Sequence, residues 1–325
     1  MKENWEHSST FTPPSPSTLH DMIHTAFPSK TIASLQRTST GLSNGSYKFT
    51  LEQDDSPYML RVCSGSSDVA YKEVAITQLV AATVPIAQYV HSEIIPTAEG
   101  ASWSILEWKD GILLADILKT GDTRRIAAAA TAVGNVLAHI HNYTFAQAGF
   151  FGPTLTIVEP LSPGMDEWCA FINDSLEHHG SGRWLHEQEI QAVRRFLQSS
   201  RMCIHEFHEM PLLVHSDFNG LNILIQESSD STTVPAVLDW EFAFAGTRYA
   251  DIGNMLRYES AGSLYEQHVL EGYRAAGGEL HPQWRLLSRM EDLLALCDML
   301  NSSTSEMPNR IADLRRLIVQ TVTAD

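Results

Sequence analysis

The sequence predicts an α+β fold in two lobes, with a small β-rich N-terminal lobe, a larger helical C-terminal lobe and the active site in the cleft between them. Three observations carry this expectation. Up to about residue 106, short aromatic and aliphatic runs alternate with turn residues. After Gly111 the apolar residues fall at helical spacing. One β-like island, Leu212–Leu238, interrupts the helices and gathers polar residues between apolar runs. A chain of 325 residues is long enough for two lobes with a shared core.

The elements follow in order. Residues 1–16 are rich in Ser, Thr and Pro and are expected to be poorly ordered. Residues 17–106 form the N-terminal lobe, read as strands with one helix. Ser46–Leu51 and Tyr58–Cys63 are its central strands, and Asp54, Asp55, Ser56 and Pro57 between them signal a hairpin turn. Asp68–Val80 is helical in pattern, and Ala87–His91 and Ser102–Trp108 are two further strands. Residues 107–111 are a hinge, and 112–325 the C-terminal lobe. There Ile126, Ala130, Val133, Leu137 and Ile140 mark one amphipathic helix, Ile190, Val193, Leu197 and Ile204 a second, and helical patterns return from Tyr249 onward.

Composition narrows the function classes. The formal net charge is −17, from 39 acidic and 22 basic residues, which opposes binding to nucleic acid or anionic membranes. Cys63, Cys169, Cys203 and Cys297 are widely spaced in apolar stretches without a C-x-x-C pair, so buried free thiols and a reducing compartment are expected. The N-terminus has no apolar signal-like region, and no stretch approaches the roughly 18 apolar residues of a membrane span. A cytoplasmic location is expected. Oligomeric state is not legible.

The chemistry lies in LLVHSDFNGLNILI and AVLDWEFAF. His215, Asp217 and Asn222 sit between apolar strands, and Asp239 follows seventeen residues after Asn222. A lone Asp in such a loop would be an ordinary solvated turn. An H-x-D-x-x-x-x-N pattern followed by L-D-W-E suits phosphoryl transfer instead. One carboxylate, Asp217, orients the proton of an attacking hydroxyl. Asn222 and Asp239 supply the hard oxygens that hold Mg2+ against nucleotide phosphates.

HSDFNGLNIL with VLDWEFAFAG resembles the aminoglycoside phosphotransferase and choline kinase superfamily, small-molecule relatives of the protein kinases, over roughly residues 30–300. The resemblance implies a protein-kinase-like fold, with Asp217 as catalytic base and Asn222 and Asp239 on magnesium. It makes His215 a brace for the loop. GLSNGSYKF resembles the family's phosphate-covering turn, so Gly41, Ser43, Asn44 and Gly45 are candidate phosphate contacts. Kinases place a Lys on the next strand, paired with a helix Glu. This sequence has Arg61, chemically suited to phosphate, with Glu73 as partner. Lys72 is expected to face solvent. Leu106, Glu107 and Trp108 take the place of the hinge whose backbone reads the nucleobase edge, with Trp108 expected to fill the interlobe core. The donor is ATP or GTP.

The acceptor side is less legible. Glu241, two residues after Asp239, reads equally as a cleft residue and as a solvated strand end. Glu259, Glu291, Asp292 and Asp298 are candidates for a cation-binding wall, each also readable as a solvated helix face. Trp168 and Tyr258 read as core. Asp251 lies in TRYADIGNML, where the family's usual Asp-Pro is Thr247-Arg248, and is expected to brace or cap the next helix. The resemblance implies a hydroxylated small molecule as acceptor: an aminoglycoside or other antibiotic, a choline-like amine, an amino alcohol or a sugar. The acidic balance tilts toward a cationic one. An inactive kinase-like binding module would have lost a catalytic position; the base and both metal ligands are present, and Arg61 in place of the usual Lys is the one feature that favours that alternative. A protein kinase would need a longer segment after Asp239.

Overall fold

The computed structural model describes residues 5–6, 12–39, 44–63, 65–95, 101–204 and 207–323. The first helix, α1 (Pro16–Ala26), begins where the Ser15 hydroxyl accepts the Thr18 N–H and Pro16 occupies the first turn. There follow β1 (Ile32–Ser39), β2 (Asn44–Leu51), β3 (Asp54–Cys63), α2 (Ser67–Val80), β4 (Tyr89–Glu93) and β5 (Trp103–Glu107). The strands form one antiparallel sheet in the order β1-β2-β3-β5-β4. Leu19 and Ile23, one turn apart on α1, are buried with Phe49, Leu60, Val62 and Ile105 from the sheet.

Two expectations need correction here. Among its described residues this region holds two helices where one is expected. The β2–β3 turn is Glu52–Gln53, with Gln53 in the left-handed region (φ 61°), and β3 already starts at Asp54. The carboxylate of Asp54 accepts the Ser56 N–H and the Tyr58 hydroxyl, so the acidic stretch stiffens a strand instead of making the bend. Of the leader, residues 1–4 and 7–11 lie outside the described residues. Trp5 is buried and donates to Asp313, and Glu6 accepts the N–H groups of Asn309 and Arg310.

Beyond residue 111 come β6 (Ile112–Leu113), α3 (Leu114–Lys119), α4 (Thr123–Ile140), β7 (Gly149–Phe151), β8 (Ile157–Pro160), α5 (Met165–Glu177), α6 (Ser181–Trp184), α7 (Glu187–Cys203), β9 (Leu212–Val214), β10 (Ile223–Glu227), β11 (Thr232–Val237), β12 (Phe244–Gly246), α8 (Arg248–Leu256), α9 (Leu264–Ala275), α10 (Trp284–Asn301) and α11 (Pro308–Thr323). Two small sheets, β11-β10-β6 and β8-β7-β12-β9, are set among these helices. One large apolar core runs through α4, α5, α7, α9 and α10. α4 and α9 approach closely at two glycines. A Cβ on Gly134 would stand 1.9 Å from the Val269 carbonyl oxygen, and one on Gly272 2.1 Å from that of Thr131. Cys169 and Cys297 are buried as expected, Cys63 partly so, whereas Cys203 is exposed. Among the described residues no helix is long and apolar enough to cross a membrane.

Candidate active site

β9 delivers the chain to the loop 215–222, and β10 carries it away. The Asp217 carboxylate is held at both oxygens: Asn219 Nδ2 donates to Oδ1 at 2.8 Å and Asn222 Nδ2 to Oδ2 at 2.9 Å. Asn219 went unnoticed in the sequence because Asn is an ordinary turn residue. The His215 ring is fully buried. Its Nδ1 accepts the Asp217 N–H (3.2 Å), so the proton sits on Nε2, which donates to the Leu238 carbonyl (2.9 Å). Both ring nitrogens are engaged. Gly220 lies against α3, where a Cβ would stand 3.0 Å from the Ala115 nitrogen, and its carbonyl accepts that N–H.

Asp251 closes the loop from behind. It is wholly buried on α8 and accepts the N–H groups of His215 (Oδ2, 2.9 Å) and Ser216 (Oδ1, 2.8 Å), together with His141 Nε2 (3.2 Å). It therefore braces the catalytic loop, not its own helix. Ser216 and Asp239 are both non-glycine residues in the left-handed region, at φ 70° and 64°. Such strain persists where surrounding bonds over-determine the backbone.

Asp239 follows β11 and meets a residue from the other end of the chain. Arg61 Nη1 donates to Glu73 Oε1 at 2.7 Å, and Nη2 to Asp239 Oδ1 at 3.0 Å. Burial works against the guanidinium charge, but Glu73 and then Asp239 outweigh it and hold Arg61 protonated. Burial pushes the Glu73 carboxyl up, and Arg61 opposes that. Lys72 does not face solvent as expected. Its Nζ donates to the Glu241 carbonyl at 2.6 Å, tying α2 to the segment after Asp239. Glu241 is half-buried beside Asp239. Burial first, then the neighbouring Asp239 charge, push its carboxyl up to about 7.

The other expected residues divide. Gly41 and Ser43 lie outside the described residues. Asn44 and Gly45 are paired within β2, opposite Cys63 and Val62. Leu106 is buried. The N–H groups of Glu107 and Trp108, expected to read a nucleobase, are spent on the carbonyls of Gln88 (3.0 Å) and Pro57 (3.2 Å). Trp108 is half-buried beneath the Lys48 ammonium, with its indole N–H on Asp110, and belongs to neither apolar core. Glu259 accepts the Ser263 hydroxyl. Asp292 is buried instead of lying on a solvated helix face: its Oδ1 takes Nε (2.9 Å) and Nη2 (2.8 Å) of Arg257, a pairing invisible at 35 residues' separation. Trp168 is core; Tyr258 is half-buried and donates to Asp313.

The model of the phosphotransferase enzyme family (APH) matches residues 34–287. No curated protein sequence matches the chain. Among solved structures, aminoglycoside phosphotransferase APH(4)-Ia is 20% identical over 95% of this chain and 98% of its own, with a TM-score of 0.70. A thermostable mutant of that protein, in ternary complex with ADP and hygromycin B, is 20% identical over 95% and 100%, with a TM-score of 0.68. A GDP and kanamycin complex of APH(2")-IIIa is 15% identical over 94% and 98%, with a TM-score of 0.70. At these identities the likeness establishes the fold, a protein-kinase-like one.

Proposed function

Because the chain belongs to the phosphotransferase enzyme family, we propose that it carries the γ-phosphoryl group of ATP or GTP to a hydroxyl of a small molecule, with Asp217 as catalytic base. The observation that carries this reading is the convergence of Asp217, Asn222, Asp239 and Arg61, drawn from both ends of the chain, on one pair of loops. As the acceptor oxygen bonds to the γ-phosphorus, its proton passes to Asp217. The bond from that phosphorus to the β–γ bridging oxygen breaks, and nucleoside diphosphate leaves. Asn219 and Asn222 orient the base by gripping both its oxygens. His215 and Asp251 fix the loop that carries it.

The donor set fits magnesium. Asn222 spends its Nδ2 on Asp217, which leaves its carbonyl oxygen as a hard ligand, and Asp239 keeps Oδ2 beyond its bond to Arg61. Magnesium bound there neutralises phosphate charge. In this reading Arg61 contacts the phosphates. In this reading residues 17–106 form the nucleotide lobe, 107–111 the hinge and 112–325 the acceptor lobe, and the protein works in the cytoplasm. The solved relatives hold aminoglycosides, which puts these first among acceptors to test, beside choline, amino alcohols and sugars.

The test is nucleoside-diphosphate release with magnesium and ATP or GTP, over that panel, for wild type and Asp217→Ala. Acceptor-dependent release that vanishes in the variant is expected, with nucleotide affinity kept. Undiminished turnover in Asp217→Ala would remove the base from the mechanism.

A further inference from the structure

Asn219, Gly220 and Leu221 of the catalytic loop line a cavity together with Tyr258. Asn219 grips Asp217, so this cavity adjoins the base. Tyr258 stands in the turn just beyond α8, outside the helix ladder. Its place in the wall therefore depends on what its side chain meets. The hydroxyl donates to Asp313 Oδ2 on α11 at 2.8 Å. The same oxygen accepts the indole N–H of Trp5 at 3.1 Å, across 308 residues of chain. Arg316 Nη2 donates to Oδ1 at 2.7 Å. Burial works to raise the Asp313 carboxyl, but these three donors outweigh it and hold it below its ordinary value. Asp313 is thus a carboxylate oriented from both ends of the chain.

Trp5 is itself anchored. It is buried within the large core, and the Arg310 guanidinium stands 5.4 Å from its ring centroid. Its neighbour Glu6 accepts the N–H groups of Asn309 (2.8 Å) and Arg310 (3.1 Å) in the first turn of α11. A helix leaves such N–H groups unmet, and a negative charge there is favoured. The Glu6 cap and the buried ring would suffice to seat α11. The indole N–H adds something else, a second grip on the oxygen that holds Tyr258.

Resting on the phosphotransferase reading, we propose that Trp5 is a positioning residue for the acceptor: through Asp313 it fixes Tyr258 in the wall of the cavity beside Asp217, where the acceptor binds.

The test uses the full chain with two variants. Trp5→Phe keeps a buried aromatic ring and removes the indole N–H. Glu6→Gln weakens the cap on α11 and leaves the Trp5–Asp313–Tyr258 link in place. Hydrogen exchange with magnesium and ADP reads that link without an acceptor. Trp5→Phe should speed exchange about tenfold in the peptide spanning 256–263, the worth of one hydrogen bond, whereas Glu6→Gln should act only at the start of α11. With the acceptor of the panel that drives the fastest diphosphate release, Trp5→Phe should raise the acceptor KM about fivefold and leave kcat and the nucleotide KM unchanged. In a Tyr258→Phe background it should add nothing. A 256–263 peptide indifferent to Trp5→Phe overturns the proposal. So does an acceptor KM that Glu6→Gln raises equally, or one that Trp5→Phe raises as much with Tyr258→Phe present. Exchange that responds as expected while no acceptor drives Asp217-dependent release overturns the phosphotransferase premise instead.

Discussion

Replacing Arg61 with methionine isolates what one guanidinium does at the junction of α2 and the Asp239 loop. Its contact with Asp239 is the lesser part, since that side chain is 36% exposed and solvent screens it. Its contact with Glu73, 5% exposed, is the greater part. Removing one partner of a buried pair costs about 3–5 kcal/mol. Glu73 can take up a proton to relieve part of that, which leaves about 3 kcal/mol at neutral pH. With about 2.1 cal/mol/K of unfolding entropy per residue, the loss corresponds to a fall of roughly 4 °C in Tm. The pH dependence has a definite sign. Burial already raises the Glu73 carboxyl above its ordinary 4.5, and without Arg61 it rises further. A carboxyl raised on folding contributes stability that is complete below its unfolded value and is lost as pH climbs through the folded one. The deficit of Arg61→Met should therefore be smallest at acid pH and grow toward neutrality. Urea denaturation across that range measures it, and Arg61→Met/Glu73→Met should recover most of the loss. A deficit below about 1 kcal/mol at pH 7, or one that grows toward acid, would refute the reasoning.

Asp251→Asn turns an amide's own donors toward the N–H groups of His215 and Ser216. It should cost about 2–4 kcal/mol, cut turnover and speed hydrogen exchange in the peptide spanning 213–219. Glu291 accepts the Thr247 hydroxyl at 2.6 Å, and burial pushes its carboxyl up to about 7. Its contribution is complete below its unfolded value and lost as pH rises toward 7. Glu291→Gln should accordingly flatten the decline in stability over that window, by roughly 2–3 kcal/mol at pH 8 in chemical denaturation. Gly134→Ala forces a methyl onto the Val269 carbonyl and should cost about 3 kcal/mol or more, read from urea melts. A cost near zero would mean that α4 and α9 can part freely.

The catalytic segment was legible because its polar residues lie close together between apolar strands, so sequence spacing and spatial spacing nearly coincide. α1 was not, although Ser15, Pro16, Leu19 and Ile23 mark its cap and face. The Ser, Thr and Pro around them also fit a loose leader, and composition outweighed periodicity. Asp54–Pro57 looked like a turn because the residue types fit one, while the true bend fell on Gln53, which carries no turn signature. Lys72, Asp292 and Asp251 share another cause. Each finds its partner 35 or more residues away, and only tertiary packing decides whether a helical charge meets water or a backbone carbonyl.

His215 gives the molecule a dimension as well as a contact. Asp217 and Asp239 sit on separate loops, and nothing in the covalent chain sets the gap between them. The imidazole does. It reaches the Asp217 N–H on one side and the carbonyl of Leu238, the residue before Asp239, on the other. The ring works as a gauge block whose width is the distance between two opposed ring nitrogens, one accepting and one donating. A smaller amide would leave one jaw open, and a larger aromatic would pry the jaws apart. At this position the histidine is thus a length written in chemistry, and the tolerance it sets is the one with which a base and a metal ligand must face each other.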